Sequence, residues 1–81
     1  MPLPRIFYVE RYRNRHGESP IRGYEVAGRH IDVQFADGTY RYSYIRTGRE
    51  HVERMKELAR RGEGLATYIS QHVHDAYEAK I

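Results

Sequence analysis

Cysteine is absent from this chain of 81 residues. That removes structural disulfides, thiolate-held zinc, iron–sulfur clusters and thiol nucleophiles together. A small secreted fold without disulfides would be poorly stabilised, so a cytoplasmic location is expected. No apolar run approaches the roughly 20 residues of a membrane-spanning helix, so no membrane partner is expected. The patch Ile6 to Val9 is too short for a secretory h-region. There is no internal repeat, no low-complexity tract and no linker long enough to separate a pair of domains, so one folding unit is expected. Lysine is scarce: twelve of the fourteen basic residues are arginine.

The net charge of +3 is unevenly placed. Residues 1–30 hold six arginines (Arg5, Arg11, Arg13, Arg15, Arg22 and Arg29) against three glutamates, whereas residues 31–81 hold eight bases against eight acids. Segregated arginine suits an anionic partner, because guanidinium binds phosphate bidentately and stays charged at any physiological pH. The same residues also suit a charged edge strand that blocks aggregation.

Residues 5–13 are rich in strand formers and read as a strand, followed by a turn-rich loop over 14–20. Ile21 to Val26 reads as another strand, turned back by Ala27-Gly28-Arg29-His30. Ile31, Val33 and Phe35 then alternate with polar residues up to Asp37-Gly38, a strong hairpin signal. Tyr40, Tyr42 and Tyr44 alternate on the far side. A two-residue turn at Asp37-Gly38 sets Phe35 against Tyr40, Val33 against Tyr42 and Ile31 against Tyr44, all on one face. The other face carries Asp32, Gln34, Arg41 and Ser43. Pairing Val26 with Ile31 brings Tyr24 beside Val33 on the apolar side.

Thr47-Gly48-Arg49-Glu50 has capping-box spacing. Val52, Met55, Leu58 and Ala59 follow at helical spacing, with Glu50 and Glu53 leading and Arg60 and Arg61 trailing, as the helix dipole favours. Gly62 and Gly64 end this helix. A second helix is expected with Leu65, Tyr68, Ile69, His72, Val73, Ala76 and Tyr77 along one stripe. The sum is an α+β domain: an antiparallel meander of three to four strands with two C-terminal helices packed on one face.

The stretch from Ser19 to Tyr77 resembles the KTSC family. These small domains occur at the C-terminal end of some lysyl-tRNA synthetases and as free-standing bacterial proteins. The resemblance is carried by Ser19, Ile21 and Tyr24, by Ile31-Asp32-Val33-Gln34-Phe35 with Asp37-Gly38, and by Tyr40-Arg41-Tyr42. It continues in Tyr68-Ile69-Ser70, His72-Val73 and Tyr77. The chain departs from the family pattern at Gly64, Ala66, Ile69 and Ser70. The resemblance implies a KTSC-like ββ(β)αα domain over residues 19–81. Residues 1–18 form a basic N-terminal strand and loop outside it, within the same folding unit. Through its synthetase context the family also implies RNA binding.

Catalytic and metal-binding patterns are weak. His72 and His74, two apart on a helix, point about 200° apart, so no metal site is expected, and His72 falls on the apolar stripe. Ser70 and His74 could share a helical face, but no acid is placed behind the histidine and no strained turn surrounds the serine. Gly62-Glu63-Gly64 lacks the following Lys-Ser/Thr of a phosphate loop, and its glutamate would repel phosphate. The tyrosine stripe shares the face that the helices must cover, so most of it is core. The remaining binding feature is Arg5 to Arg15, where arginines interleave with Phe7, Tyr8 and Tyr12.

The expected function is therefore a small non-catalytic module without a cofactor, binding RNA or another polyanion. Arg5, Arg11, Arg13, Arg15, Arg22 and Arg41 would contact phosphate, and Tyr8 or Tyr12 would stack on bases. The alternative is a protein-interaction module, a homodimer or a small regulator of a larger assembly, docking through the N-terminal edge strand.

Overall fold

A computed structural model describes residues 9–15, 17 and 19–81. Among them the sheet has five strands in the order β1-β2-β3-β4-β5, each antiparallel to its neighbour. β2 (Ile21–Val26) and β3 (His30–Phe35) pair in the register read from the sequence, with Val26 opposite Ile31 and Tyr24 opposite Val33. Of the strand expected over residues 5–13, residues 5–8 lie outside the described residues. Within the rest, only Glu10–Arg11 (β1) joins the sheet, along β2.

The hairpin between β3 and β4 (Gly38–Ser43) corrects the expected register by two residues. Phe35 faces Gly38, Val33 faces Tyr40 and Ile31 faces Tyr42, so the turn is Ala36-Asp37. Neither turn residue takes a positive φ; Gly38 does, at +146°. The residue with conformational freedom thus closes the turn instead of sitting inside it. Side chains alternate with period two, so a two-residue shift leaves every apolar residue on the face expected for it.

That face is the core. Ile31 and Val33 are fully buried and Tyr42 is 2% exposed; Ile21 and Tyr24 complete the sheet's contribution. Opposite them, α1 (Arg49–Arg61) contributes Val52, Met55, Leu58 and Ala59, and the second helix contributes Leu65, Ile69 and Val73. Full burial of a side chain such as Val33 or Leu65 stabilises by about 1.5–3 kcal/mol.

The start of α1 is not the expected capping box. Gly48, at φ +105°, holds the cap position without a side-chain bond. The Thr47 hydroxyl instead donates to the Ala76 carbonyl at 2.5 Å. Lys56, buried on α1, bonds the Gly28 carbonyl at 3.2 Å and the Glu53 carboxylate at 2.7 Å, which ties the β2–β3 turn to the helix. Gly62 ends α1 in the left-handed conformation (φ +76°), its N–H bonded to Leu58 and Ala59 carbonyls. Gly64, at φ +80°, completes the reversal.

The second helix is shorter than its apolar stripe suggests. α2 (Leu65–Tyr68) passes into a π-helical segment, Ile69–Val73, that ends at His74 with φ +35°. The wider turn makes burial recur at Leu65, Ile69 and Val73, and leaves His72 exposed and off the core stripe. The chain then turns back, and Ala79–Lys80 (β5) pairs with Tyr40 and Arg41. Among the described residues no helix is long and apolar enough to cross a membrane.

Candidate functional site

The path of residues 10–22 decides where the arginines go. Tyr12 follows β1, with its N–H on the Arg22 carbonyl at 3.0 Å. Alternation turns its ring inward and leaves Arg11 and Arg13 outside. Asn14 takes a left-handed φ of +53°, which asparagine tolerates better than most residues. Its side chain donates to the Ser19 carbonyl (3.2 Å) and accepts the Ser19 N–H (3.0 Å), closing the loop like a clasp. Ser19 Oγ in turn accepts the Ile21 N–H at 3.1 Å, and β2 begins.

This loop returns Arg22 to the side of Arg11 and Arg13. The three arginines line one concavity of about 490 Å³, together with Asn14, Ser19 and Pro20. No carboxylate is among the described residues of its wall. The side chains of Arg11 and Arg22 make no hydrogen bond or ion pair among the described residues, and both residues are exposed.

Arg13 and Arg15 continue the basic surface onto the end of α1. An Nη of Arg13 donates to the Arg60 carbonyl; Arg15 donates its Nε to the Arg61 carbonyl at 2.8 Å and its backbone N–H to Gly62 at 2.8 Å. The last carbonyls of a helix lack internal partners and carry the negative end of its dipole, so cations settle there. Each guanidinium has five N–H donors. Both side chains are exposed, so most of their donors still face solvent. Arg60 adds a further exposed cation at this end. The segment lies close against the helix end, since a Cβ on Gly62 would stand 2.5 Å from that of Arg13.

Two residues expected to bind are placed elsewhere. Tyr12 is 3% exposed, its ring in the core and its hydroxyl accepting the Leu65 N–H at 3.3 Å, so it offers no face to a base. Burial pushes its phenol above the ordinary value; the Leu65 bond opposes this and Glu63 adds to it. Arg41 lies on the face of the sheet opposite the helices, bound to Asp32 through two bonds of 2.8 and 3.1 Å. Those bonds raise the pKa of its guanidinium further, and Glu78 and Glu25 act in the same direction. Asp32 is buried and also faces His30 at 3.7 Å. Arg41 is thus held in a mixed-charge group away from the basic concavity. Arg5 and Tyr8 lie outside the described residues.

Sequence reasoning misses a ring cluster on the helices. His51 Nδ1 and the Tyr68 hydroxyl are 2.7 Å apart, and the rings of Tyr68 and His72 lie 4.5 Å apart at 34°. The Tyr68–His72 spacing of four is the available signal, but the same spacing also fits the core stripe. Ser70 and His74 do not share an unbroken helix, because the π segment ends at Val73. Among the described residues no three His, Asp or Glu side chains converge as metal ligands. No family model matches the chain, and neither curated proteins nor solved structures give a match.

Proposed function

We propose that this chain is a small non-catalytic binding module for a polyanion, RNA first, with Arg11, Arg13, Arg15 and Arg22 as its phosphate contacts. One observation carries the reading: Arg11, Arg13 and Arg22 surround a single concavity with no carboxylate among its described wall residues. Such a wall attracts phosphate without first breaking an internal ion pair. The resemblance of residues 19–77 to KTSC domains supports RNA over other polyanions, and the absence of cysteine supports a cytoplasmic setting.

The test is a titration of labelled transfer RNA, single-stranded RNA and duplex DNA at low and physiological salt. Binding at micromolar concentration or tighter, weakening steeply with salt, is expected, since each phosphate contact releases counterion. No binding of any of the three at low salt would refute the proposal.

A protein partner is the second reading, favoured by the position of β1 at the edge of the sheet. There its arginines would meet acidic side chains, and a second copy of the chain could add a strand. Sedimentation at rising concentration distinguishes the homodimer form, which a persistent monomer would remove.

A further inference from the structure

We infer, resting on the reading just proposed, that the RNA is single-stranded and that a base stacks on the Tyr68–His72 ring pair while phosphates lie on Arg11, Arg13 and Arg22. A second, larger concavity of about 660 Å³ lies between the loop and the helices, with Tyr68 and Gln71 in its wall. It shares Tyr12, Asn14, Ser19 and Pro20 with the arginine-lined one, so the two adjoin across a single stretch of chain.

Their charges differ in kind. Arg54 and Arg61 line the larger concavity, but Arg54 is paired with Glu57 at 2.9 Å and Arg61 with Glu63 at 3.5 Å. Its remaining polar wall includes Thr67 and Gln71, exposed side chains that make no hydrogen bond among the described residues. The smaller concavity therefore suits phosphate, and the larger suits a neutral base with donors and acceptors on its edge.

The rings supply the stacking surface. Tyr68 is half-buried and pinned by its bond to His51, so little ring freedom remains to be lost on binding. His72 lies over it, exposed and outside the wall of the larger concavity, so the base stacks where the pair meets solvent at the rim of that concavity; His51 stands 6.0 Å from His72 at 33°. Bases inside a duplex are stacked on one another and cannot reach such rings, whereas unpaired bases can.

The experiment compares a labelled single-stranded RNA of about 12 nucleotides with the corresponding duplex, using the whole chain and the variants His72→Ala, Tyr68→Leu and Tyr68→Phe. The single strand is expected to bind the parent more tightly than the duplex. Losing a stacking ring should weaken single-strand binding by roughly 5- to 100-fold, with the salt slope and duplex affinity unchanged. Tyr68→Phe keeps the ring but loses the bond to His51 that pins it, so it should weaken single-strand binding less than Tyr68→Leu does. His72 is exposed, so its variant is decisive even if Tyr68→Leu fails to fold. Parent-like single-strand binding by His72→Ala, with binding lost in the double variant Arg11→Ala/Arg22→Ala, would overturn this inference and leave the proposed function standing. Equal or tighter binding of the duplex by the parent would also overturn it. Failure of either RNA to bind the parent would refute both.

Discussion

The hydroxyl of Tyr12 accepts the backbone N–H of Leu65 at 3.3 Å, joining positions 53 residues apart. The bond fastens the strand that carries the arginines to the first residue of α2. Replacing Tyr12 by Phe removes only the bond and should cost about 1 kcal/mol in urea unfolding. Replacement by Ala also removes a core ring and should cost about 3–5 kcal/mol. Because the ring is internal, Tyr12→Phe should bind RNA as the parent does; weakened binding at unchanged stability would return Tyr12 to the interface.

Gly62 is constrained twice, by its φ of +76° and by the backbone and stem of Arg13 against it. Gly62→Ala is expected to destabilise the fold by about 1–3 kcal/mol, read as a lower urea midpoint. It should also loosen Arg13 and Arg15 from the helix end, seen as faster amide exchange at Arg15, whose N–H now bonds the Gly62 carbonyl.

Arg41 separates structure from binding. Its removal takes two hydrogen bonds from the buried Asp32 carboxylate. Arg41→Ala should lower stability by about 2 kcal/mol, less than for a fully buried pair because the guanidinium is partly exposed. RNA affinity should change little. A large loss of affinity with intact stability would place Arg41 in the interface after all.

Tyr42 sets an alkaline limit. Burial pushes its phenol up to about 12, with smaller contributions from Tyr40 and Tyr77. An unfolded tyrosine titrates at about 10, so between these values the unfolded chain releases a proton that the folded chain keeps. The stabilising contribution is complete below about pH 10 and is lost as pH rises towards about 12. Circular dichroism of urea unfolding across that range should show falling stability in the parent and a flatter profile in Tyr42→Phe.

The sheet is legible in the sequence because alternation encodes its faces directly. Tyr24, Ile31, Val33 and Tyr42 fill the core from the side on which the pattern places them. The turn is less legible: Asp37-Gly38 signals a hairpin, but the position of Gly38 after the turn is chosen by the backbone it must adopt. The end of the second helix is illegible, for no glycine or proline marks the break at His74, and Glu78-Ala79-Lys80 reads locally as helix. Within the candidate site, Arg11, Arg13 and Arg22 can be nominated from composition, but their meeting depends on the Asn14–Ser19 clasp. Tyr12 misleads because a tyrosine between two arginines looks exposed, while strand alternation buries it.

Arg11 and Arg22 give the most direct test, because neither side chain bonds to any described residue of the fold. The dependence of RNA affinity on salt should be measured for the parent and for Arg11→Ala/Arg22→Ala. The variant should show an unchanged unfolding curve, weaker binding, and a log–log salt slope shallower by about 1–2, as two phosphate contacts are lost. Identical affinity and slope in parent and variant would contradict it.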